Sequence, residues 1–203
     1  MKLRVVVPPH PLIAHWLTIL RDPTTPNPIY VKALEEIGRW LTYEAIRDWL
    51  PHKKELINIE NTSVEATLID ASIPLLAIPD FPAGLEMLNG ARDVLPNPHL
   101  CLGGVPQLIE SNAGILIFCG QIGDGKDQLE ILNKLKIKSI EDRRIRFVTC
   151  LASPPGLKKI SEAYEGLTIY TTCIDEDVTI NGEIRPGIGK FSDRINTRIN
   201  SSN

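Results

Sequence analysis

The segment at 120–127 reads GQIGDGKD and follows the apolar run GILIFC. Glycines between a strand and a helix let backbone amides point at a phosphate group, and the helix dipole favours its negative charge. A lysine in the same loop adds a side-chain cation. These residue types are suited to holding a phosphorylated ligand, and the candidate phosphate-loop residues are Gly123, Asp124, Gly125 and Lys126.

Three interpretations of this loop follow from its residues. The spacing of Gly120, Gly125 and Lys126 matches GxxxxGK, the pattern of nucleoside-triphosphate loops. However, Asp127 stands where a Ser or Thr would hold magnesium, and a carboxylate there would repel the phosphates. In a purely structural interpretation, the glycines make a tight turn and Asp124 or Asp127 caps the following helix. In the third, the loop is a phosphate nest for another ligand.

An acidic run, Asp175-Glu176-Asp177, is a second candidate for chemistry, because carboxylates are ligands for hard cations. Consecutive residues in an extended chain point in alternating directions, so their carboxylates rarely converge on one ion. The run is therefore predicted to be a solvated turn, and no metal site is predicted elsewhere.

Apolar runs that alternate with amphipathic segments supply the elements that must position these residues. The pattern at 73–174 predicts a βαβαβ core with a mostly parallel sheet. Ligands in such sheets bind at the carboxyl ends of the strands. The strands are predicted at 73–79, 99–104, 114–119, 144–152 and 167–174, and the helices at 82–95, from the loop to about Lys136, and at 154–164.

Before this core, the periodicity predicts two helices and a hairpin. Proline in the first turn favours a helix start at Pro11, and Pro51 is expected to end the longest helix. Alternating residues around the polar turn NTS, and later the dipeptide Asn181-Gly182, are typical of hairpins. The predicted segments are a strand at 3–7, helices at 11–20 and 29–50, hairpin strands at 55–60 and 64–69, and a second hairpin within 178–184.

Composition narrows the class of protein. The chain has 203 residues, which predicts one domain over 1–203, and a net charge of −3, which argues against a nucleic-acid partner. Its four cysteines form no CxxC pair, so free thiols in a reducing compartment are expected. No apolar run approaches the roughly 20 residues that cross a bilayer. A cytoplasmic protein without a membrane partner is the prediction.

The segment NGEIRPGIGKFSDRI at 181–195 resembles the C-terminal signature of uracil phosphoribosyltransferases, G-Y-I-x-P-G-x-G-D-x-G-D-R. Two N-terminal segments, HPLIAHWLTILRD at 10–22 and YEAIRD at 43–48, resemble further blocks of that family, as does IPLLAIPDFPAGLEMLNG at 73–90. The resemblance therefore covers about residues 10–195. The signature positions that match in register are Gly182, Ile184, Pro186, Gly187, Gly189, Asp193 and Arg194.

The resemblance implies a type I phosphoribosyltransferase fold, an α/β architecture with a mostly parallel central sheet flanked by helices, a β-hairpin and N-terminal helices. It also implies transfer of ribose phosphate from phosphoribosyl pyrophosphate to N1 of uracil, a need for Mg²⁺ in an active enzyme, and a homodimer. In the family, uracil is read largely by backbone groups, which correspond here to Ile184, Gly189 and Phe191. By the same correspondence, Lys190 and Asp193 are candidates for the pyrophosphate side.

The chain departs from the family pattern where the phosphates would bind. Phe118 or Cys119 occupies the acidic position before the loop, and Pro82 stands in place of the arginine of R-A-G. Lys190 replaces the aspartate of GxGD, and the segment at 100–112 is too short for a loop that carries another arginine. These departures predict impaired catalysis. Two other hypotheses stay open: transfer supported by rebuilt loops with Lys126 and Lys190, and a non-catalytic protein that binds uracil or UMP or regulates a partner.

Overall fold

The computed structural model describes residues 3–195. Their strands, in chain order, are β1 (Arg4–Val6), β2 (His52–Ile59), β3 (Thr62–Ile69), β4 (Leu75–Pro79), β5 (His99–Leu100), β6 (Gly114–Ile122), β7 (Ile145–Ala152), β8 (Thr168–Ile174), β9 (Asp177–Val178) and β10 (Ile184–Arg185). Their α-helices are α1 (Pro11–Arg21), α2 (Asn27–Ile46), α3 (Ala83–Ala91), α4 (Lys126–Ile137), α5 (Pro154–Ala163) and α6 (Phe191–Ile195).

A six-stranded sheet in the order β1-β8-β7-β6-β4-β5 forms the centre of the molecule. All of its neighbouring strands run parallel. Its four longest strands are buried at nearly every position, which suits strands that are covered by helices on both faces. The predicted α/β fold with a mostly parallel sheet is confirmed.

The two faces of the sheet bury different side chains because successive residues of a strand point in opposite directions. In β6, Leu116 and Phe118 belong to a core that also contains side chains of α1, α2 and α3. Ile115 and Ile117 belong to the opposite core, which contains side chains of α4 and α5. The helices are thus divided between the faces, and the carboxyl ends of the strands stay accessible between them.

Helices α2 and α3 cross at two glycines. A Cβ built on Gly38 would lie 2.0 Å from the carbonyl oxygen of Met87, and one on Gly90 would lie 1.8 Å from that of Glu35. Neither position has room for a side chain, so the two helix backbones are in direct contact. Helix α2 was predicted to end at residue 50 but ends at Ile46, because the residues that precede Pro51 form a turn.

Two hairpins lie outside the central sheet. Strands β2 and β3 are antiparallel, and the pair Ile59–Thr62 closes a two-residue turn at Glu60 and Asn61. The predicted hairpin is confirmed, but its turn lies earlier than the predicted NTS. In the second hairpin, β10 pairs with β9, and Gly182 has a φ of 81°, which suits the predicted Asn-Gly turn.

Two further findings concern the predicted class of the chain. All four cysteines are free thiols, as the absence of CxxC pairs predicted. No helix in the part of the chain that the structure describes is long and apolar enough to cross a membrane.

Candidate functional site

A cavity of about 440 Å³ lies where the carboxyl ends of β4 and β6 meet the C-terminal signature segment. The three predicted base contacts, Ile184, Gly189 and Phe191, all line it, and so does the pyrophosphate-side candidate Lys190. The structure therefore brings together these signature residues at the edge of the sheet where ligands bind. The other lining residues are Pro82, Gln121, Glu183, Arg185, Pro186 and Ser192.

Backbone geometry explains the glycines of the signature segment. Gly187 has a φ of 65° and Gly189 a φ of 78°, in the left-handed region that glycine adopts without strain. The side chain of Ile188 between them is buried, and the Tyr30 hydroxyl donates a hydrogen bond of 3.2 Å to its carbonyl oxygen. The segment is thus fixed to the core on one side and presents Gly189 to the cavity on the other.

The ring of Phe191 rests on the backbone of β6. A Cβ built on Gly120 would lie 2.5 and 2.6 Å from two ring carbons of Phe191, and 2.7 Å from the Cβ of Ala83. Only glycine leaves room for the ring at this place. Base stacking on Phe191 stays a prediction, but the ring does form part of the cavity wall.

Asp175 anchors the signature segment and does not lie in a solvated turn, as the acidic run had suggested. Its side chain is only 6% exposed and binds the Arg21 guanidinium through both oxygens, at 2.9 and 2.8 Å. It also accepts a hydrogen bond of 3.1 Å from the amide of Gly187. Burial alone would raise the pKa of Asp175, but the hydrogen bonds from Arg21 and Gly187 lower it below its ordinary value. Local sequence patterns do not show that Arg21 is the partner of Asp175, because Arg21 lies in α1, 154 residues earlier in the chain.

The candidate phosphate loop is shorter than predicted. Strand β6 does not end at Cys119 but continues to Ile122, since Gln121 pairs with Leu151 and Ile122 with Ala152 of β7. The loop proper is Gly123–Gly125, and α4 begins at Lys126. None of the four candidate loop residues lines the cavity.

A carboxylate already holds the amide that begins α4. One oxygen of Asp124 accepts a hydrogen bond of 3.0 Å from the backbone N–H of Lys126, and the other lies 2.5 Å from its ammonium. The hydrogen bonds from Lys126 lower the pKa of Asp124, so the carboxylate is charged at neutral pH. Asp124 thus accepts the first amide of α4, as the structural interpretation of the loop predicted, although the N-cap residue is Gly125 and no side chain caps the helix from that position.

The loop glycines pack against neighbouring backbone. A Cβ on Gly123 would lie 2.0 Å from the carbonyl oxygen of Gly182, and one on Gly125 would lie 3.0 Å from that of Gly156. The hydroxyl of Ser153 donates a hydrogen bond of 2.5 Å to the carbonyl oxygen of Gly123. The glycines therefore allow close contacts within the protein, in addition to the positive φ of 75° at Gly125.

Only one of the two pyrophosphate-side candidates lines the cavity, although the amide of Asp193 donates a hydrogen bond of 3.1 Å to the carbonyl oxygen of Lys190. Lys190 lines the cavity, and its ammonium lies 3.2 Å from a carboxylate oxygen of Glu183, so its charge is compensated within the wall. Asp193 belongs to α6 and does not line the cavity. Its neighbour Arg194 donates to the carbonyl oxygen of Asp22 and lies over the ring of Tyr30, 4.4 Å from its centroid.

A half-buried carboxyl group lies two residues before Pro82 of the cavity wall and was not singled out from the sequence. Asp80 follows β4 and accepts hydrogen bonds from the amides of Gly84, at 2.7 Å, and Gly120, at 3.1 Å. Burial raises the pKa of Asp80 to about 6, although both amides oppose the shift. An acidic residue directly after a buried apolar strand was the available signal.

Comparison with known proteins identifies the family. The profile described as uracil phosphoribosyltransferase matches residues 7–105 and 97–197. The chain belongs to the uracil phosphoribosyltransferase family. The uracil phosphoribosyltransferase of a Nostoc species is 37% identical over 211 residues, which cover 96% of this chain and 98% of the relative. That of Synechococcus elongatus is 36% identical over 210 residues, with coverage of 96% and 97%.

A more distant relative agrees with the family, and a solved structure agrees with the fold. The chloroplastic uracil phosphoribosyltransferase of Arabidopsis thaliana is 32% identical over 209 residues, which cover 95% of this chain and 71% of the relative. The structure of the AQ2163 protein from Aquifex aeolicus has a TM-score of 0.79 at 24% identity and covers 94% of this chain and 97% of that chain. At this identity the second comparison supports the fold alone.

The resemblance to the uracil phosphoribosyltransferase family implies Mg²⁺ in an active enzyme, so the carboxylates around the cavity are relevant. Glu183 is paired with Lys190, and Asp80 is held by two amides. Within residues 3–195, no group of three or more His, Cys, Asp or Glu side chains is arranged to hold a metal ion. These side chains do not by themselves fit a magnesium ion, and the Mg²⁺ expected for an active enzyme stays a prediction.

Proposed function

We propose that this family member binds a pyrimidine base in the cavity at Ile184, Gly189 and Phe191 and is impaired in phosphoribosyl transfer. The family reaction joins uracil and phosphoribosyl pyrophosphate to give UMP and pyrophosphate. The observation that carries the proposal is the carboxylate of Asp124 on the amide of Lys126. A 5-phosphate held by this loop would need that amide for itself.

The electrostatics of the loop support the proposal. A phosphate approaching α4 would meet the negative charge of Asp124 at the helix N-terminus, where the dipole would otherwise favour an anion. The ammonium of Lys126 is engaged by the same carboxylate. Pro82 lines the cavity where the family pattern has an arginine, and proline offers no donor to a phosphate.

Base binding makes different demands on the protein. Recognition by backbone groups needs a fixed main chain, and the signature segment is fixed by Asp175 and by Tyr30. The cavity volume falls within the range of small-molecule sites, roughly 300–1,000 Å³. A non-catalytic protein that binds uracil or UMP is therefore the second form of the proposal. Transfer by rebuilt loops would instead require Lys126 and Lys190 to break their ion pairs with Asp124 and Glu183.

Two measurements test the proposal. With labelled uracil, phosphoribosyl pyrophosphate and Mg²⁺, the protein should form UMP far more slowly than the turnover typical of enzymes, about 1–10³ per second. Calorimetric titration should detect binding of uracil but not of phosphoribosyl pyrophosphate. Rapid transfer by the wild-type protein would overturn the impairment, and absence of uracil binding would overturn the assignment of the cavity.

A variant pair isolates the role of the Asp124 carboxylate. Asp124→Ala removes the carboxylate from the loop and should increase the affinity for pyrophosphate, because the amide and ammonium of Lys126 become available. Asp127→Ala removes a charge of the same sign three residues later, on a side chain that accepts no loop amide among the described residues, and should give a smaller gain. Equal gains in both variants would mean that net charge, and not the occupied amide, limits binding of the anion.

A homodimer, as the family resemblance implies, is the proposed assembly. Fifteen of the sixteen residues of β2 and β3 are exposed, and the hairpin carries apolar side chains that include Leu56, 74% exposed, and Ile59, 54% exposed. An isolated two-stranded hairpin is marginally stable in water. A second copy of the chain would cover these side chains and support the hairpin.

A further inference from the structure

Two polar residues of the cavity wall have side chains without a partner among residues 3–195. Arg185 and Gln121 both line the cavity. In the part of the chain that the structure describes, neither side chain has a hydrogen-bond or ion-pair partner. An arginine and a carboxamide that converge on one cavity without partners are groups available to a ligand.

The other cations near the signature segment are already engaged. Lys190 is paired with Glu183, Lys126 with Asp124 and Arg21 with Asp175. The charged residues that line the cavity are Arg185, Lys190 and Glu183, so one positive charge remains after the ion pair is formed. That charge belongs to the Arg185 guanidinium.

The nearest candidate partner for Arg185 within its own hairpin is Asp177. The two residues lie opposite each other where β10 pairs with β9. No ion pair joins them among the described residues, and Arg185 is an exposed residue of the cavity wall. The positive charge of Arg185 therefore lies at the edge of the cavity with no ion-pair partner among the described residues.

We propose that the cavity takes a pyrimidine that carries a carboxylate, with the guanidinium of Arg185 as the carboxylate's partner. This inference rests on the proposed base-binding function. A guanidinium presents its donors in a planar fork that matches the two oxygens of a carboxylate. The carboxamide of Gln121 has both donors and an acceptor, which complement the alternating C=O and N–H groups of a uracil ring.

A carboxylate on the ring suits this site better than a phosphate on a ribose. The loop that would receive a 5-phosphate carries the charge of Asp124 at its amide. A carboxylate attached to the base stays within the cavity and does not approach that loop. The neutral base would leave the charge of Arg185 uncompensated.

Calorimetric titration with three probes tests the inference: uracil, uracil 6-carboxylate and UMP. The wild-type protein should bind the carboxylate at least about tenfold more tightly than uracil, because the added hydrogen bonds are charge-assisted. Arg185→Gln should abolish this preference, and Arg185→Lys should retain only part of it. Arg92→Gln, which removes an exposed arginine outside the cavity, should keep the preference intact. Equal melting temperatures of the variants and wild type establish that all are folded.

The outcomes separate this inference from the function on which it rests. Equal affinities for uracil and its carboxylate would overturn the role of Arg185 and leave base binding standing. Tightest binding of UMP would overturn the carboxylate and assign the positive charge to a phosphate. Failure of all three probes to bind would overturn both the inference and the proposed function.

Discussion

The guanidinium of Arg21 binds both carboxylate oxygens of Asp175, at 2.9 and 2.8 Å, across 154 residues of the chain. The same carboxylate accepts the amide of Gly187, and the Arg21 guanidinium also donates to the carbonyl oxygen of Gly187, at 3.2 Å. The first helix therefore sets the position of the signature segment. The geometry of the proposed base site therefore depends on Arg21, which does not line the cavity.

Asp175→Asn should destabilise the protein and weaken uracil binding. The substitution leaves the guanidinium of Arg21, which is partly buried, with an uncharged partner, at an expected cost of about 2–3 kcal/mol. Chemical denaturation measures the stability, and calorimetry measures the affinity. Glu176→Gln is the matched control, since Glu176 is the exposed neighbour. Unchanged uracil affinity in Asp175→Asn would mean that the signature segment holds its geometry without this anchor.

Asp80 should make the stability of the protein fall as the pH rises. The carboxyl group of Asp80 binds its proton more tightly in the folded protein than in the unfolded chain, because burial raises its pKa to about 6 from 3.8. The contribution is fully present below about pH 4 and is lost as the pH rises through about 6, by about 3 kcal/mol in total.

Denaturation curves of wild type and Asp80→Asn between pH 4 and pH 7 measure this term. The stability of wild type relative to the variant should fall over that range. The stability of wild type relative to Asp70→Asn should not fall over this range, because hydrogen bonds from Ser72 lower the pKa of Asp70. Parallel pH profiles for wild type and Asp80→Asn would show that Asp80 takes up no proton in this range.

Gly120→Ala should displace the ring of Phe191 from the cavity wall. The new methyl group has no room between that ring and Ala83, and overpacking of this kind costs about 1–3 kcal/mol. Uracil affinity should fall with stability. Gly103→Ala is the control, because a Cβ there meets nothing within 4 Å. If Gly120→Ala binds uracil as wild type does, the ring does not shape the base site.

Leu56→Glu should convert the proposed dimer into a monomer. The substitution places a charge on the exposed hairpin, where a second copy would have to bury it without a partner. Size-exclusion chromatography with light scattering reads the oligomeric state directly. Ile137→Glu places the same charge on an equally exposed apolar residue of α4, 84% exposed, and should leave the dimer intact. A monomeric wild-type protein would remove the basis for this proposal.

Local patterns predicted much of the fold because its signals lie close together in the sequence. The run GILIFC is apolar at every position but one, and it does form a strand that is buried on both faces. Glycines obscured where that strand ends. Gln121 and Ile122 lie between Gly120 and Gly123 and look like a loop, yet pairing with β7 holds them in the sheet.

The predicted site divides in the same way. The signature residues Ile184, Gly189 and Phe191 meet at the cavity because a single segment carries them. The spacing of residues could not predict the contacts of Asp175 with Arg21 or of Asp80 with the amide of Gly120, since the partners belong to other elements. The positive charge of Lys126 was visible in the sequence, but its ion pair with Asp124 was not predicted.

The glycine crossing of α2 and α3 has a consequence for how the binding site can change over time. Ala83 at the start of α3 touches the space around Phe191, and Pro82 just before it lines the cavity. Any side chain at Gly38 or Gly90 would push α3 away from α2 and carry that wall with it. Residues that line the cavity can be replaced without disturbing this helix contact, whereas replacement of either glycine, neither of which lines the cavity, would move the wall itself.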